Sequence, residues 1–312
     1  MHYFFYLFLL LLGSACFKQS NHDDNQDAYF VADYNMSNLP VSHLYGPMQT
    51  MGPLTYAQID EASGLAVSRQ NPDFLWTHND SGDFNRIFLI HKTGRWHGSF
   101  RLINAANRDW EDMAIGPGPE PDVNYLYIAE IGDNHAVYDV KHIYRIPEPD
   151  LSLADSSIQM VDIHGVERIS FTYPDQRMDA ETLLIDPWTK HMYIVTKREF
   201  PVTVYKLPYP QNATDTVVAI KYGTLPFTFA TGGDISADGL QIAIKTKERV
   251  FLWKRHPGQS MKEAFLNLPL RLNYTPEPQG EALGFTPDNM GFYTLSEKVG
   301  GITPNVYFYE KQ

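Results

Sequence analysis

Acidic side chains recur along this 312-residue chain at Glu61, Glu111, Glu181, Asp234 and Glu281, with intervals of 50, 70, 53 and 47 residues. Each opens a short apolar run, a turn and a second apolar run, as in Asp109-Trp-Glu-Asp-Met-Ala-Ile followed by Tyr125-Leu-Tyr-Ile. Carboxylates brought together by such a repeat cannot all ionise without compensation. Cations from Lys197, Arg198 and Lys245 would compensate, as would raised pKa values or a bound Ca²⁺, which takes roughly six to eight oxygen ligands. The sequence points to Glu111, Asp133 and Glu181 as the metal ligands. It points to Glu111, Asp112 and Glu181 as the groups that would act on a substrate. His78, Asp80, Trp110, Lys197, Arg198, Asp234, Lys245 and Glu281 are expected to contact a ligand.

Each of these residues has a competing structural role. A carboxylate at the start of a repeat can accept backbone N–H groups from the next repeat and staple the two together. Glu61, before a plain Ala-Ser-Gly turn, suits that role better than Glu111, which sits in the acidic string Asp109-Trp-Glu-Asp112. Trp76 and Trp110 either stack on a sugar or base or belong to the core. His78, directly before Asn79-Asp80, either meets the ligand or orients that loop. The chain has no His-x-His or His-Glu-x-x-His spacing, which argues against a zinc site. It has neither a Gly-x-Ser-x-Gly elbow nor a phosphate-binding loop.

The elements that position these residues are strands. Repeats near 50 residues, rich in Tyr, Phe and Trp, read as four-stranded blades of a β-propeller. In the first copy the strands are Leu65–Val67, Phe74–Thr77, Arg86–Ile90 and Trp96–Ile103, separated by turns such as Asn71-Pro-Asp and Lys92-Thr-Gly. The 70-residue interval contains an insertion around Pro147–Ser157. The last copy runs out of chain after three strands. A propeller must close its ring, so a segment between Val41 and Tyr56 is expected to supply the missing outer strand. The fold is therefore an all-β propeller with five legible blades and room for a degenerate sixth, in one domain over residues 41–312.

The net charge of −12 excludes nucleic acid as a partner, since neutralising phosphates needs clustered Lys and Arg. It suits cationic ligands and metal ions. Tyr3–Leu12 is an apolar run too short for a bilayer, which takes about 20 residues, and matches the core of a signal peptide over residues 1–15. Leu12-Gly-Ser-Ala-Cys16 resembles a bacterial lipobox and contains the chain's one cysteine. The resemblance implies a lipid on Cys16, a flexible polar tether over residues 16–40 and a membrane partner through that lipid. Phe17 after the cysteine resembles outer-membrane sorting, on the periplasmic face or the cell surface. The acids between Asp23 and Asp27 resemble surface-export signals of Bacteroidetes lipoproteins, and Asp215-Thr-Val resembles the O-glycosylation triplet of that phylum.

The strings Glu61-Ala-Ser-Gly-Leu-Ala-Val, Leu75-Trp-Thr-His-Asn-Asp-Ser-Gly82, Asn107-Arg-Asp-Trp-Glu-Asp112 and Glu130-Ile-Gly-Asp-Asn134 resemble a group of secreted bacterial β-propeller lipoproteins. More distantly, the layout is similar to phytase-like and esterase-like propellers. The lipid anchor, the aromatic residues and the absence of a nucleophile motif point to a surface-anchored propeller with an acidic channel that binds a small molecule, a glycan, a peptide or a surface protein. The alternative is a Ca²⁺-dependent phosphoester hydrolase, with Lys197 and Arg198 holding the anionic substrate. A third reading is a glycosidase using paired carboxylates.

Overall fold

A computed structural model describes residues 29–154, 157 and 160–312. The signal peptide, Cys16 and most of the tether expected from the sequence lie outside the described residues. Five antiparallel sheets are each built around a meander of four strands. Blade 1 comprises Ala62–Val67, Phe74–Asn79, Arg86–His91 and Trp96–Leu102. Blade 2 comprises Trp110–Pro117, Asn124–Glu130, Lys141–Pro147 and Glu167–Thr172. Blade 3 comprises Ala180–Ile185, Met192–Thr196, Val202–Leu207 and Ile220–Leu225. Blade 4 comprises Ala230–Ile235, Gln241–Thr246, Val250–Lys254 and Leu270–Leu272. Blade 5 comprises Gly280–Phe285, Gly291–Ser296, Asn305–Glu310 and the N-terminal strand Gln49–Pro53.

The ring is closed as the short last repeat requires. Gln49–Pro53 pairs antiparallel with Asn305–Glu310, and among the described residues there is no sixth blade. Five hydrophobic clusters hold the ring, one between each pair of neighbouring blades. Both faces of a blade are thus covered, which is why inner strands such as Ala180-Glu-Thr-Leu-Leu-Ile are buried at every position rather than at alternate ones.

Blades 1 to 4 carry a fifth, parallel strand that covers the outer edge. Val161–Ile163, just after the insertion of the long interval, crosses to blade 1, and Val217–Val218 covers blade 2. Phe30–Val31 covers blade 3 and Val41–Ser42 covers blade 4. These short additions protect edges that would otherwise pair with other chains. They also correct the tether. Phe30, Ala32 and Leu39 are buried, so the folded unit begins near residue 30 rather than 41.

Candidate functional site

The second strand of each blade ends beside the start of the first: Ala62 pairs with Asn79, Ala180 with Thr196 and Gly280 with Ser296. The loops after the second strands therefore stand at the same mouth of the channel as the starts of the inner strands. Every inner strand also carries a bulge near its start, one residue in for blades 2 to 5 and two residues in for blade 1. The bulged residues are Gly64, Glu111, Glu181, Thr231 and Glu281. A bulge bends the strand and re-aims a side chain. This position, rather than the sequence spacing, defines the equivalent point of each blade. Glu61 lies before its strand and Asp234 lies three residues beyond the bulge of its own.

Around the mouth the carboxylates form a chain. Asp80, Asp109 and Glu111 offer oxygens within 4.8 Å of one another, and so do Glu111, Asp179 and Glu181. Asp179 is held by the N–H of Asp133 at 2.8 Å and by Arg198 Nε at 2.6 Å. Lys197 forms an ion pair with Glu181 Oε1, whereas Oε2 of the same carboxylate is buried and has no hydrogen-bond partner. Gly132 roofs the chain. A Cβ there would collide with Glu111 Oε1 and the Asp109 carboxylate.

Burial and crowding raise these acids. Asp80 is pushed up to about 8 by burial first, then by the charges of Asp109, Glu297 and Glu61, against the Ser81 N–H. Glu297 is pushed up to about 7 by burial and by Glu281 and Glu61, with Lys197 and Lys247 opposing. Burial drives Glu111 well above the carboxylate range, and Asp80 and Asp109 add to it. Glu281 is raised by burial while Lys197, Lys245 and Lys247 pull it down. A cluster in which protons are retained near neutral pH is one that a cation would stabilise by displacing them.

Several expected site residues have other duties. Asp112 accepts from Met113 N–H within its own blade and from Leu183 N–H of blade 3, each at 2.8 Å. Asp234 does the same for Ile235 and for Phe285 of blade 5, each at 2.8 Å. Both are ring staples, a correction to their expected roles in chemistry and ligand binding. Burial raises Asp234 to about 7, and Arg69, reaching in from the base of the channel, opposes that shift. Asp133, expected as a metal ligand, stands outside both groups of converging carboxylates. It is spent on Lys141 Nζ at 2.9 Å and on the N–H groups of Val137 and Tyr138.

Trp110 is fully buried and donates to Ala106 O at 2.8 Å. His78 packs edge-on against it, bonds Asn79 O at 2.9 Å and is held neutral by burial, with its pKa lowered to about 4. Both side chains are enclosed by protein, His78 Nε2 lying against the bulged Gly64. Lys245 is also fully buried, donating to Gly280 O beneath the Tyr274 ring. The residues that do meet at the mouth are Asp80, Glu111, Glu181, Lys197 and Glu281, with Arg198 on the rim.

Asp109 and Asp179 complete the cluster and were missed as site residues. Their signal is an Asp-x-Glu spacing shared by Asp109-Trp-Glu111 and Asp179-Ala-Glu181 in adjacent blades.

No protein-family model and no curated protein matches the chain. Among solved structures it is similar to a luciferin-regenerating enzyme at 11% identity and a TM-score of 0.43, over 84% of this chain and 94% of that one. It is similar to the Myceliophteria thermophila Cps50 (Swd1) β-propeller domain at 9% identity and 0.41, over 84% and 99%. The Neurospora crassa Pan2 WD40 domain stands at 9% identity and 0.42, over 88% and 97%. The five-bladed architecture rests on the chain's own sheet topology, and none of these similarities bears on its ligand.

Proposed function

We propose that this protein is a lipid-anchored, extracytoplasmic binding propeller that holds Ca²⁺ in the acidic mouth and takes a glycan, peptide or protein ligand over it. The observation that carries the reading is the unbroken run Asp80–Asp109–Glu111–Asp179–Glu181 with a buried, unpartnered Glu181 Oε2. An orphaned buried oxygen is costly, by about 1–3 kcal/mol, and a hard cation with oxygen ligands satisfies it. Glu111, Asp179 and Glu181 would hold one ion, and Asp80, Asp109 and Glu111 form a second such group beside it. The test is the melting temperature of the folded chain in Ca²⁺ and in EDTA. A hundredfold excess of Ca²⁺ over its Kd stabilises by about 2.7 kcal/mol, a shift of several degrees. Equal melting in the two conditions sinks the reading.

A second reading, a Ca²⁺-dependent phosphoester hydrolase, draws support from Lys197 and Arg198 beside the same carboxylates. They would orient an anionic substrate, while the metal would polarise its phosphoryl oxygen. Turnover of p-nitrophenyl phosphate that needs Ca²⁺ and is lost in Lys197→Ala would establish it. Ca²⁺ binding without turnover leaves the binding reading alone.

A further inference from the structure

On the rim between blades 3 and 4 an apolar groove of about 610 Å³ opens at the same face as the acidic mouth, lined by Met36, Phe200, Phe227, Phe229 and Phe251. Phe200 is 75% and Phe229 47% exposed, a large apolar display for a folded surface. Phe229 has a left-handed backbone, with φ of 58°. That conformation is a genuine outlier for a bulky residue. It is locked by a hydrogen bond from Phe229 N–H to Lys197 O at 2.6 Å. The strain is not repaid by burying the ring, and such strain concentrates at ligand clamps.

Groove and mouth are continuous through two lysines. Lys197, whose carbonyl fixes Phe229, pairs with Glu181. Lys247 lines the groove and also stands near enough to Glu281 and Glu297 to offset their charge. The groove rim alternates Thr228, Thr246, Glu248 and Arg249. Those polar groups suit peptide amides and leave a plain hydrocarbon chain unmatched.

We infer that the groove binds the apolar C-terminal residue of a polypeptide, with its side chain on Phe229 and Phe227 and its terminal carboxylate directed to Lys247 and the cation at the mouth. This deepens the binding reading above and rests on it for the cation. The experiment is calorimetric titration of the full chain with Ac-Ala-Ala-Phe-OH, Ac-Ala-Ala-Phe-NH₂, Ac-Ala-Ala-Ser-OH and decanoate, each with Ca²⁺ and with EDTA. The free acid of the Phe peptide should bind, with its amide and the Ser peptide each weaker by tenfold or more. Phe229→Asn, which keeps a residue tolerant of positive φ, and Lys247→Ala should each weaken it similarly while the chain still unfolds in one cooperative transition. Equal binding of acid and amide, tighter binding of decanoate, or no binding of any peptide overturns the inference. A Ca²⁺ melting shift without peptide binding refutes the groove alone. Peptide binding that is identical in EDTA refutes the cation's part in it.

Discussion

Glu111 and Glu181 are the bulged residues of neighbouring inner strands, and together with Asp179 they bring carboxylate oxygens within 4.8 Å of one another at the channel mouth. Neither carboxylate staples the ring. Among the described residues the Glu111 carboxylate accepts no hydrogen bond, its backbone carbonyl alone taking Ser63 Oγ, and Glu181 has Lys197 on one oxygen only. Replacing Glu111 by Gln should therefore leave the fold intact and raise the melting temperature in EDTA at neutral pH, because the parent must take up a proton at this buried carboxyl to fold. The same change should weaken Ca²⁺ by at least tenfold, about 1.4 kcal/mol, as read by calorimetry. Unfolding of the variant would make Glu111 a structural residue.

Asp112 and Asp234 should behave in the opposite way. Each accepts two backbone N–H groups, one of them across a blade interface. Truncation to Ala strands both donors, at about 1–3 kcal/mol each. Asp112→Ala and Asp234→Ala should thus lose roughly 2–6 kcal/mol in urea unfolding, and whatever remains folded should bind Ca²⁺ normally. A loss of Ca²⁺ affinity with unchanged stability would reverse the assignment.

The raised acids predict a pH dependence. Asp80 and Glu297 have folded-state values near 8 and 7, whereas the unfolded chain titrates near 4. Between those limits the folded state holds protons that the unfolded state has released, so their contribution to stability falls as pH rises. In EDTA, Asp80→Asn should match the parent near pH 4 and exceed it in melting temperature progressively up to pH 8. Saturating Ca²⁺ should close that gap by stabilising the parent. A constant difference across pH would refute the crowding of Asp80.

Gly132 offers a test that adds or removes no charge. A Cβ at this position displaces the Glu111 and Asp109 carboxylates, both mobile side-chain ends rather than backbone. Gly132→Ala should cost about 1 kcal/mol or less in stability yet shift Ca²⁺ affinity severalfold. Unaltered affinity would mean that those two carboxylates are not ligands.

The blade count, the strand boundaries of blade 1 and the closing strand were legible because inner strands, turns and the truncated last repeat leave local marks. Which acids meet was only partly legible. The repeat spacing groups Asp234 with Glu111, but a bulge at Ala230–Gly232 puts Thr231 at the mouth and turns Asp234 into the ring. Bulges depend on pairing between strands, and no local residue pattern fixes them. The same limit hid the covering strands Phe30–Val31 and Val41–Ser42, whose two-residue pairings are made to strands more than two hundred residues ahead or nearly so. Packing and hydrogen bonds likewise commit His78, Trp110 and Lys245 to the interior beside residues that line the mouth, which no local pattern announces.

The N-terminal segment crosses the outside of two successive blades before it enters the ring: Phe30–Val31 on blade 3, Val41–Ser42 on blade 4, then Gln49–Pro53 inside blade 5. A tensile load applied ahead of Phe30 meets these attachments in series. It must first unseat Phe30 from Tyr222 and Phe265, then peel Val41–Ser42, and only afterwards strain the strand that closes the circle. The two outer pairings act as mechanical fuses, absorbing a pull from the N-terminus while the mouth and its cluster keep their shape.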